Sequence, residues 1–83
     1  MAAKQRRIET GWRTYAEHVL PAGAPSVQTQ ETRRAFYAGA WHMLNLLAEL
    51  GEDSVSEDAG VDVLEALTAE ARQFSKDVEE GRA

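Results

Sequence analysis

The chain has 83 residues, no cysteine and only two histidines. This composition excludes disulfide bridges and argues against a structural zinc site, so neither can reinforce the fold. A domain of this size buries barely enough apolar surface to be stable alone, which leaves self-association as the means of reinforcement. We therefore expect one domain, residues 1–83, that forms a homo-oligomer and needs neither a cofactor nor a metal.

Charge is distributed unevenly along the chain. The net charge is −5, but residues 1–34 carry six Lys/Arg against three Glu, a net +3, and residues 35–83 carry three against eleven acids, a net −8. The acidic second half argues against general nucleic-acid binding. The basic first half leaves open a small anionic ligand.

The first predicted helix covers about residues 4–20. Its large apolar side chains recur at spacings of four, three and four, which is a helical period: Ile8, Trp12, Tyr15 and Val19. Gly11 weakens this helix, because glycine is a poor helix former. Pro21 ends it, and the segment PAGAP (residues 21–25) predicts a turn.

The second predicted helix covers about residues 27–50, with Ser26 as its N-cap and Gly51 in the left-handed position that follows many helices. Its later part, AFYAGAWHMLNLLAEL, is apolar around most of its circumference. Such a helix has to be covered from several directions.

The third predicted helix covers about residues 55–79. It follows a capping-box pattern in which Ser54 is the cap and Glu57 reaches back, with Ser56 as a competing cap. Its apolar residues form a heptad-like seam: Gly60, Leu64, Leu67, Ala71, Phe74 and Val78. The sequence thus predicts an all-α fold, in which a short N-terminal helix is followed by a long antiparallel helical hairpin and the whole is oligomeric.

Part of the second helix should remain uncovered and form an interface. The residues expected there are Phe36, Tyr37, Gly39, Trp41, Leu44 and Leu47. Two interpretations of the glycine remain open. Gly39 either allows another helix to approach closely or makes room for Trp12 or Phe74 of the same chain.

A possible ligand-binding group lies where the first two helices would meet: Arg13, Arg33 and Arg34 with Trp12 and Tyr15. Arginines bind phosphate or carboxylate, and an adjacent aromatic ring can stack on a base. The alternative is that these arginines pair with the acids of the second half of the chain, within one subunit or between subunits.

We expect no enzymatic activity. His42, Asn45 and Glu49 share one stripe of the second helix, but no second histidine or carboxylate at helical spacing converges on them. No metalloprotease, phosphate-loop or nucleophile-elbow motif is present in the sequence. His42 is therefore interpreted as a solvent-edge residue or as one that sets register in an interface.

The run ETRRAFYAGAWHMLNLLAELGEDSVSED, residues 31–58, resembles a segment of small helical proteins encoded by tailed phages and prophages. The predicted architecture is also similar to phage sponge proteins that sequester cyclic nucleotide signals of host defence. The resemblance implies a counter-defence protein that binds and blocks a host factor or a small anionic signal nucleotide. The alternative is a virion assembly or scaffold accessory protein.

These interpretations also imply a location. The residues MAAKQRRIETGW are too polar for a secretory signal, and no apolar run approaches the roughly 20 residues of a membrane span. We expect a cytoplasmic protein, in the host cell if a phage encodes it.

Overall fold

A computed structural model describes residues 5–83, which form three α-helices and contain no strand. Helix α1 spans Arg7–Val19, α2 spans Ser26–Leu50 and α3 spans Glu57–Glu79. The predicted all-α class is confirmed. The predicted start of the first helix, at residue 4, lies outside the described residues.

The chain divides into two compact units, Met1–Leu47 and Ala48–Ala83, and the boundary falls within α2. The antiparallel pairing of α2 with α3 and the oligomeric state stay predictions. None of the described helices is long and apolar enough to cross a lipid bilayer.

In the first unit, a tight turn joins α1 to α2. The backbone N–H of Ala24 donates to the carbonyl of Pro21 at 3.1 Å, and Gly23, the third residue of this turn, has a φ of +76°. A type II turn requires a positive φ at that position, which glycine adopts without strain. The turn reverses the chain, so α1 packs antiparallel against the first part of α2.

Helix α2 begins one residue earlier than predicted. The Pro25 carbonyl accepts the backbone N–H of Thr29 at 3.1 Å and the hydroxyl of Thr29 at 3.3 Å. Pro25 therefore precedes the first helical residue, and Ser26 is that residue instead of the N-cap that we predicted.

An aromatic cluster holds α1 against α2. The Trp12 ring centroid lies 5.8 Å from that of Phe36, and the Tyr15 centroid lies 5.4 Å from that of Phe36. Trp12 is 6% exposed and is the one buried apolar side chain among the described residues. The tip of the Phe36 ring lies beside Gly11, where a β-carbon would be 3.5 Å from its Cζ atom. The first unit therefore has a core built around a single tryptophan.

Helix α1 is too short to cover all of α2. It has 13 residues and α2 has 25, so their lengths are about 20 Å and about 38 Å. Glu9, near the start of α1, already bonds Tyr37. We call residues 41–47 of α2, which lie beyond this point, the overhang. Four of its five large apolar side chains are exposed, and Leu46 is half-buried; the exposed ones are Trp41, Met43, Leu44 and Leu47.

In the second unit, both ends of α3 are capped. The Ser56 hydroxyl accepts the backbone N–H of Ala59 at 3.1 Å, so the N-cap is Ser56, the competing candidate, and not Ser54. At the other end Gly81 has a φ of +77°, and the N–H of Arg82 donates to the Asp77 carbonyl at 2.7 Å. With the bond from the Gly81 N–H to Val78, this is a Schellman motif.

The end of α2 lacks the left-handed glycine that we predicted. The positive-φ residues of the described chain are Gly23 and Gly81, so Gly51 is not among them. The Gly51 N–H instead donates to the Ala48 carbonyl at 3.1 Å, a bond across three residues. The helix therefore ends by tightening its last turn, which satisfies the carbonyl without a left-handed residue.

Candidate functional site

Glu9 lies at the centre of the most connected polar cluster of the first unit. Its Oε1 atom accepts hydrogen bonds from Arg33 Nη2 at 2.6 Å and from the Tyr37 hydroxyl at 2.8 Å. Its Oε2 atom lies 3.6 Å from Arg13 Nε. Arg33 and Tyr37 are four residues apart on α2 and therefore share one face of that helix. The cluster joins α1 to α2 on the side of the aromatic core.

The charged groups of this cluster shift one another's pKa values through their mutual hydrogen bonds. The hydrogen bond from Arg33, followed by the one from Tyr37, lowers the pKa of Glu9 below its usual range. The same carboxylate raises the pKa of Tyr37 and that of Arg33, through its hydrogen bond to each. The Arg33 guanidinium also lies over the Tyr37 ring, 4.9 Å from its centroid. The charge of Arg33 is therefore already compensated within the protein.

The five residues predicted to bind an anion fall into separate environments. Trp12 is buried in the core, so its ring offers no free face for stacking. Arg13 and Arg33 meet at Glu9, whereas Arg34 Nη1 lies 3.4 Å from Glu31 Oε1 on α2. The remaining residue, Tyr15, is exposed at the edge of the aromatic cluster.

The arginines of the first unit have acidic partners within that unit. Within the first unit these arginines pair with Glu9 and Glu31, which both belong to the first half of the chain, and pairing with acids of the second half stays a prediction. The sequence contains a signal for two of these pairs, since Glu9 and Arg13 are four residues apart and Glu31 and Arg34 are three residues apart, in each case about one helical turn. It contains no signal for the pairing of Glu9 with Arg33, which depends on how the PAGAP turn sets α1 against α2.

A shallow apolar groove runs along α2 beside the aromatic cluster. It is lined by the small residues Ala35, Gly39 and Ala40 and by the larger residues Tyr15, Thr32, Phe36 and Met43. No heavy atom lies within 4 Å of the place where a β-carbon on Gly39 would be. The space beside Gly39 is therefore open.

The six residues predicted to form an interface occupy three environments. Phe36 and Tyr37 are half-buried against α1. Gly39 lines the groove. The other three lie on the overhang with their side chains exposed: Trp41, Leu44 and Leu47.

The polar stripe of α2 is exposed at each of its three positions, His42, Asn45 and Glu49. Within residues 5–83 no group of three or more His, Asp or Glu side chains is placed to hold a metal ion. The stripe is thus an exposed edge of α2 next to its apolar faces.

Comparison of the chain with family models, curated proteins and solved structures found no match.

Proposed function

We propose that this chain is a non-enzymatic accessory protein that self-associates through α2 and acts by binding a protein target. The observation that carries the proposal is the exposed apolar surface of the overhang. Residues 35–47 contain no Asp, Glu, Lys or Arg, and Trp41 within them is 66% exposed. Contiguous exposed apolar surface of this kind marks sites where soluble proteins meet other proteins.

The free energy available from burying the overhang supports association. Fully burying a Leu, Met or aromatic side chain contributes about 1.5–3 kcal/mol. The four exposed large side chains of the overhang are between 41% and 66% exposed, so covering them would contribute several kcal/mol. The whole stability of a natural domain is only about 5–15 kcal/mol. Association would therefore add substantially to a unit whose own core is one buried tryptophan.

A protein target fits the first unit better than an anionic nucleotide does. A nucleotide site would need free guanidinium groups next to a free aromatic face. Arg33 is bound to Glu9, and Trp12 is buried. The observation that favours the nucleotide is the exposure of two other arginine side chains, 74% for Arg13 and 67% for Arg34.

The absence of catalysis remains part of the proposal. The ionisable groups with displaced pKa values, Glu9, Arg33 and Tyr37, bond one another. Perturbed pKa values often mark catalytic sites, but ion-pair networks that hold helices together produce them as well. The cluster therefore has a structural explanation.

The biological setting is proposed from the resemblance of residues 31–58 to small phage proteins. A phage accessory protein with an exposed apolar helix is suited to capturing and blocking a host defence protein. A role in virion assembly would use the same self-association. The two roles differ in whether a host protein or a virion protein co-purifies from infected cells.

The test is a pair of substitutions on α2, Trp41→Glu and Val27→Glu. Val27 is 67% exposed and lies at the other end of the helix, so it matches Trp41 in exposure but not in location. Light scattering after size exclusion should give a mass above the 9.2 kDa of one chain for the wild type and for Val27→Glu. Trp41→Glu should give the single-chain mass with its helical circular dichroism retained. A wild-type mass of one chain at micromolar concentration would overturn the proposal.

The nucleotide candidate is tested separately. Cyclic di- and trinucleotides added at low salt should leave the melting temperature unchanged, because selective binding to the folded state would raise it. A rise that is lost in a folded Arg34→Glu variant would favour the nucleotide over the protein target.

A further inference from the structure

We propose that two copies of the chain pair antiparallel along one exposed face of α2, with a two-fold axis at Trp41 and with Arg34 of each copy beside Glu49 of the partner subunit. The inference rests on the proposed self-association and specifies which side of α2 carries it. We call this side the Trp41 face, and it consists of Arg34, Ala38, Trp41, Asn45 and Ala48.

The Trp41 face has the spacing of a helix-pairing seam. Its five residues follow one another at intervals of four, three, four and three, which is the heptad repeat along which two helices pack lengthwise. All five are exposed. Because α2 is one continuous helix of 25 residues, the face runs for about 21 Å. It is long enough for a second helix to lie along it.

The residues of α2 that are already half-buried lie on other sides of the helix. Phe36, which packs against α1, is five residues from Trp41 and therefore about 140° away around the helix. Toward the end of α2, Leu46 and Leu50 are half-buried, and they lie about 140° and about 180° from Trp41. The face around Trp41 is therefore turned away from these covered positions.

The charges at the two ends of the face favour an antiparallel second copy. Arg34 lies seven residues before Trp41 and Glu49 lies eight residues after it, and both are exposed. An antiparallel copy related by an axis at Trp41 brings Arg34 beside Glu49 of the partner subunit, and the symmetry repeats this pair at the other end. A parallel copy would bring Arg34 beside Arg34 of the partner subunit, and like charges repel each other.

The second unit of the same chain matches these charges less well. Helix α3 carries seven acids and two bases within Glu57–Glu79. Residues 57–64, the part of α3 that is closest to Glu49 in sequence, contain three acids and no base, so they offer Glu49 no cation. A second copy of α2 matches both ends of the face.

The middle of the face supplies the apolar contact. The same axis places Trp41 against Trp41 of the partner subunit, and it places Leu44 beside Tyr37 of the partner subunit. Trp41 and Leu44 are 66% and 47% exposed, so both gain cover from this pairing. Val27 lies fourteen residues before Trp41 and would face a position beyond Leu50, where α2 ends. Its substitution should therefore leave this interface intact.

A charge swap tests the pairing of Arg34 with Glu49. Arg34→Glu and Glu49→Arg each place like charges at both ends of the face, so each should raise the dissociation constant about tenfold. The double variant restores an opposite pair at each end and should recover the wild-type value. The two residues are about 22 Å apart on one helix, so this recovery cannot arise within one chain. Losses that add in the double variant, or single variants that bind as the wild type does, would overturn the arrangement.

An equimolar mixture of the two single variants gives a second readout. The mixed dimer has opposite charges at both ends, so the mixture should associate as tightly as the wild type although neither variant does so alone. The matched control is Arg72→Glu, which reverses an exposed arginine of α3. Its mixture with Glu49→Arg should gain nothing, and an equal gain there would contradict a specific pairing at Arg34.

Cross-linking tests the position of the axis. The chain has no cysteine, and an axis at Trp41 brings Ala38 beside Asn45 of the partner subunit. A mixture of Ala38→Cys and Asn45→Cys should form the mixed disulfide rapidly under mild oxidation. Each variant alone should react slowly, because its two thiols would be about 9–12 Å apart along the helices. Equal rates in the three samples would overturn the axis at Trp41.

These outcomes separate the inference from the proposed function. A wild-type mass of one chain would overturn both. An oligomeric mass without recovery in the charge-swapped double variant would overturn the antiparallel pairing and leave self-association standing.

Discussion

Helices α1 and α3 are held in different ways. The N-cap residue of α1, Arg6, makes no side-chain capping bond, and α1 is fastened by the buried Trp12 and by the bonds of Glu9 to α2. Helix α3 has no buried residue but has a side-chain cap at Ser56 and a Schellman motif at Gly81. An isolated helix of 13 residues is marginal in water, whereas one of 23 residues with both ends capped gains more from local structure. Helix α1 therefore depends on tertiary contacts, and α3 depends on its own capped ends.

The largest effect should come from the core. Trp12→Ala removes the one buried apolar side chain and should destabilise the first unit by about 3–5 kcal/mol. Helicity should then fall by an amount that corresponds to α1 and the part of α2 beneath it, while α3 stays helical. Circular dichroism and backbone NMR shifts measure this.

The matched control for this prediction is Trp41→Ala. The same side chain is removed from an exposed position, so at concentrations low enough to exclude association the helicity should be unchanged. Equal losses in the two variants would show that α1 does not depend on the Trp12 core.

Acid should weaken the packing of α1 on α2. In the folded state, the bonds of Glu9 to Arg33 and Tyr37 lower its pKa below the unperturbed value of 4.5. A group of this kind contributes stability that is present above its unfolded pKa and is lost as the pH falls through the lower folded pKa. The melting temperature of the first unit should therefore drop as the pH falls below about 4.5. Glu9→Gln should lower it at neutral pH and flatten the pH dependence.

Glu31→Gln is the control for Glu9. The side chains of Glu31 and of its partner Arg34 are both about two-thirds exposed, and exposed ion pairs contribute little to stability. The melting temperature should hardly change. A loss as large as that in Glu9→Gln would contradict a special role for the Glu9 cluster.

The cap of α3 should be a local feature. Ser56→Ala removes the acceptor for the Ala59 N–H and should destabilise α3 by about 1 kcal/mol. Ser54→Ala should have almost no effect, although the sequence pattern favoured Ser54. Hydrogen exchange of the first-turn amides of α3 measures the difference, and the α1 amides serve as the internal reference.

The smallest expected changes in stability come from replacing a glycine with alanine, and they should have opposite signs in α1 and α3. At Gly11 a β-carbon would be in ordinary contact with Phe36, so Gly11→Ala should stabilise α1 by up to about 1 kcal/mol through helix propensity. At Gly81 the φ is +77°, so Gly81→Ala should destabilise the end of α3 by about 1 kcal/mol through left-handed strain. Shifts of the same sign in both variants would mean that one of these two backbone descriptions is wrong.

The sequence predicted those features that depend on local periodicity. The apolar spacing in α1 and α3 and the prolines at 21 and 25 were sufficient for three helices and one turn. The choice between Ser54 and Ser56 was not decided, because both serines precede a helix-compatible run and the bond to Ala59 depends on the backbone angles of the loop. The same reason applies to Gly51, where a tight last turn competes with a left-handed one.

The candidate site could be predicted only in part. The apolar and charge-free character of residues 35–47 is visible in the sequence, and the exposure of Trp41 agrees with it. The Glu9 cluster was missed because it joins residues 24 and 28 positions apart. Such a contact depends on the axial position of one helix against another, which periodicity does not specify.

The Glu9 cluster also fixes the axial position of α1 along α2. One carboxylate oxygen receives two donors that are one turn apart on α2, so sliding α1 by a single turn, about 5.4 Å, would break at least one of the two bonds. A slide toward the end of α2 would cover Trp41 and its neighbours, and a slide the other way would leave Tyr37 beyond the start of α1. The position of one glutamate on a short helix thus sets how many turns of the long helix remain available to a partner.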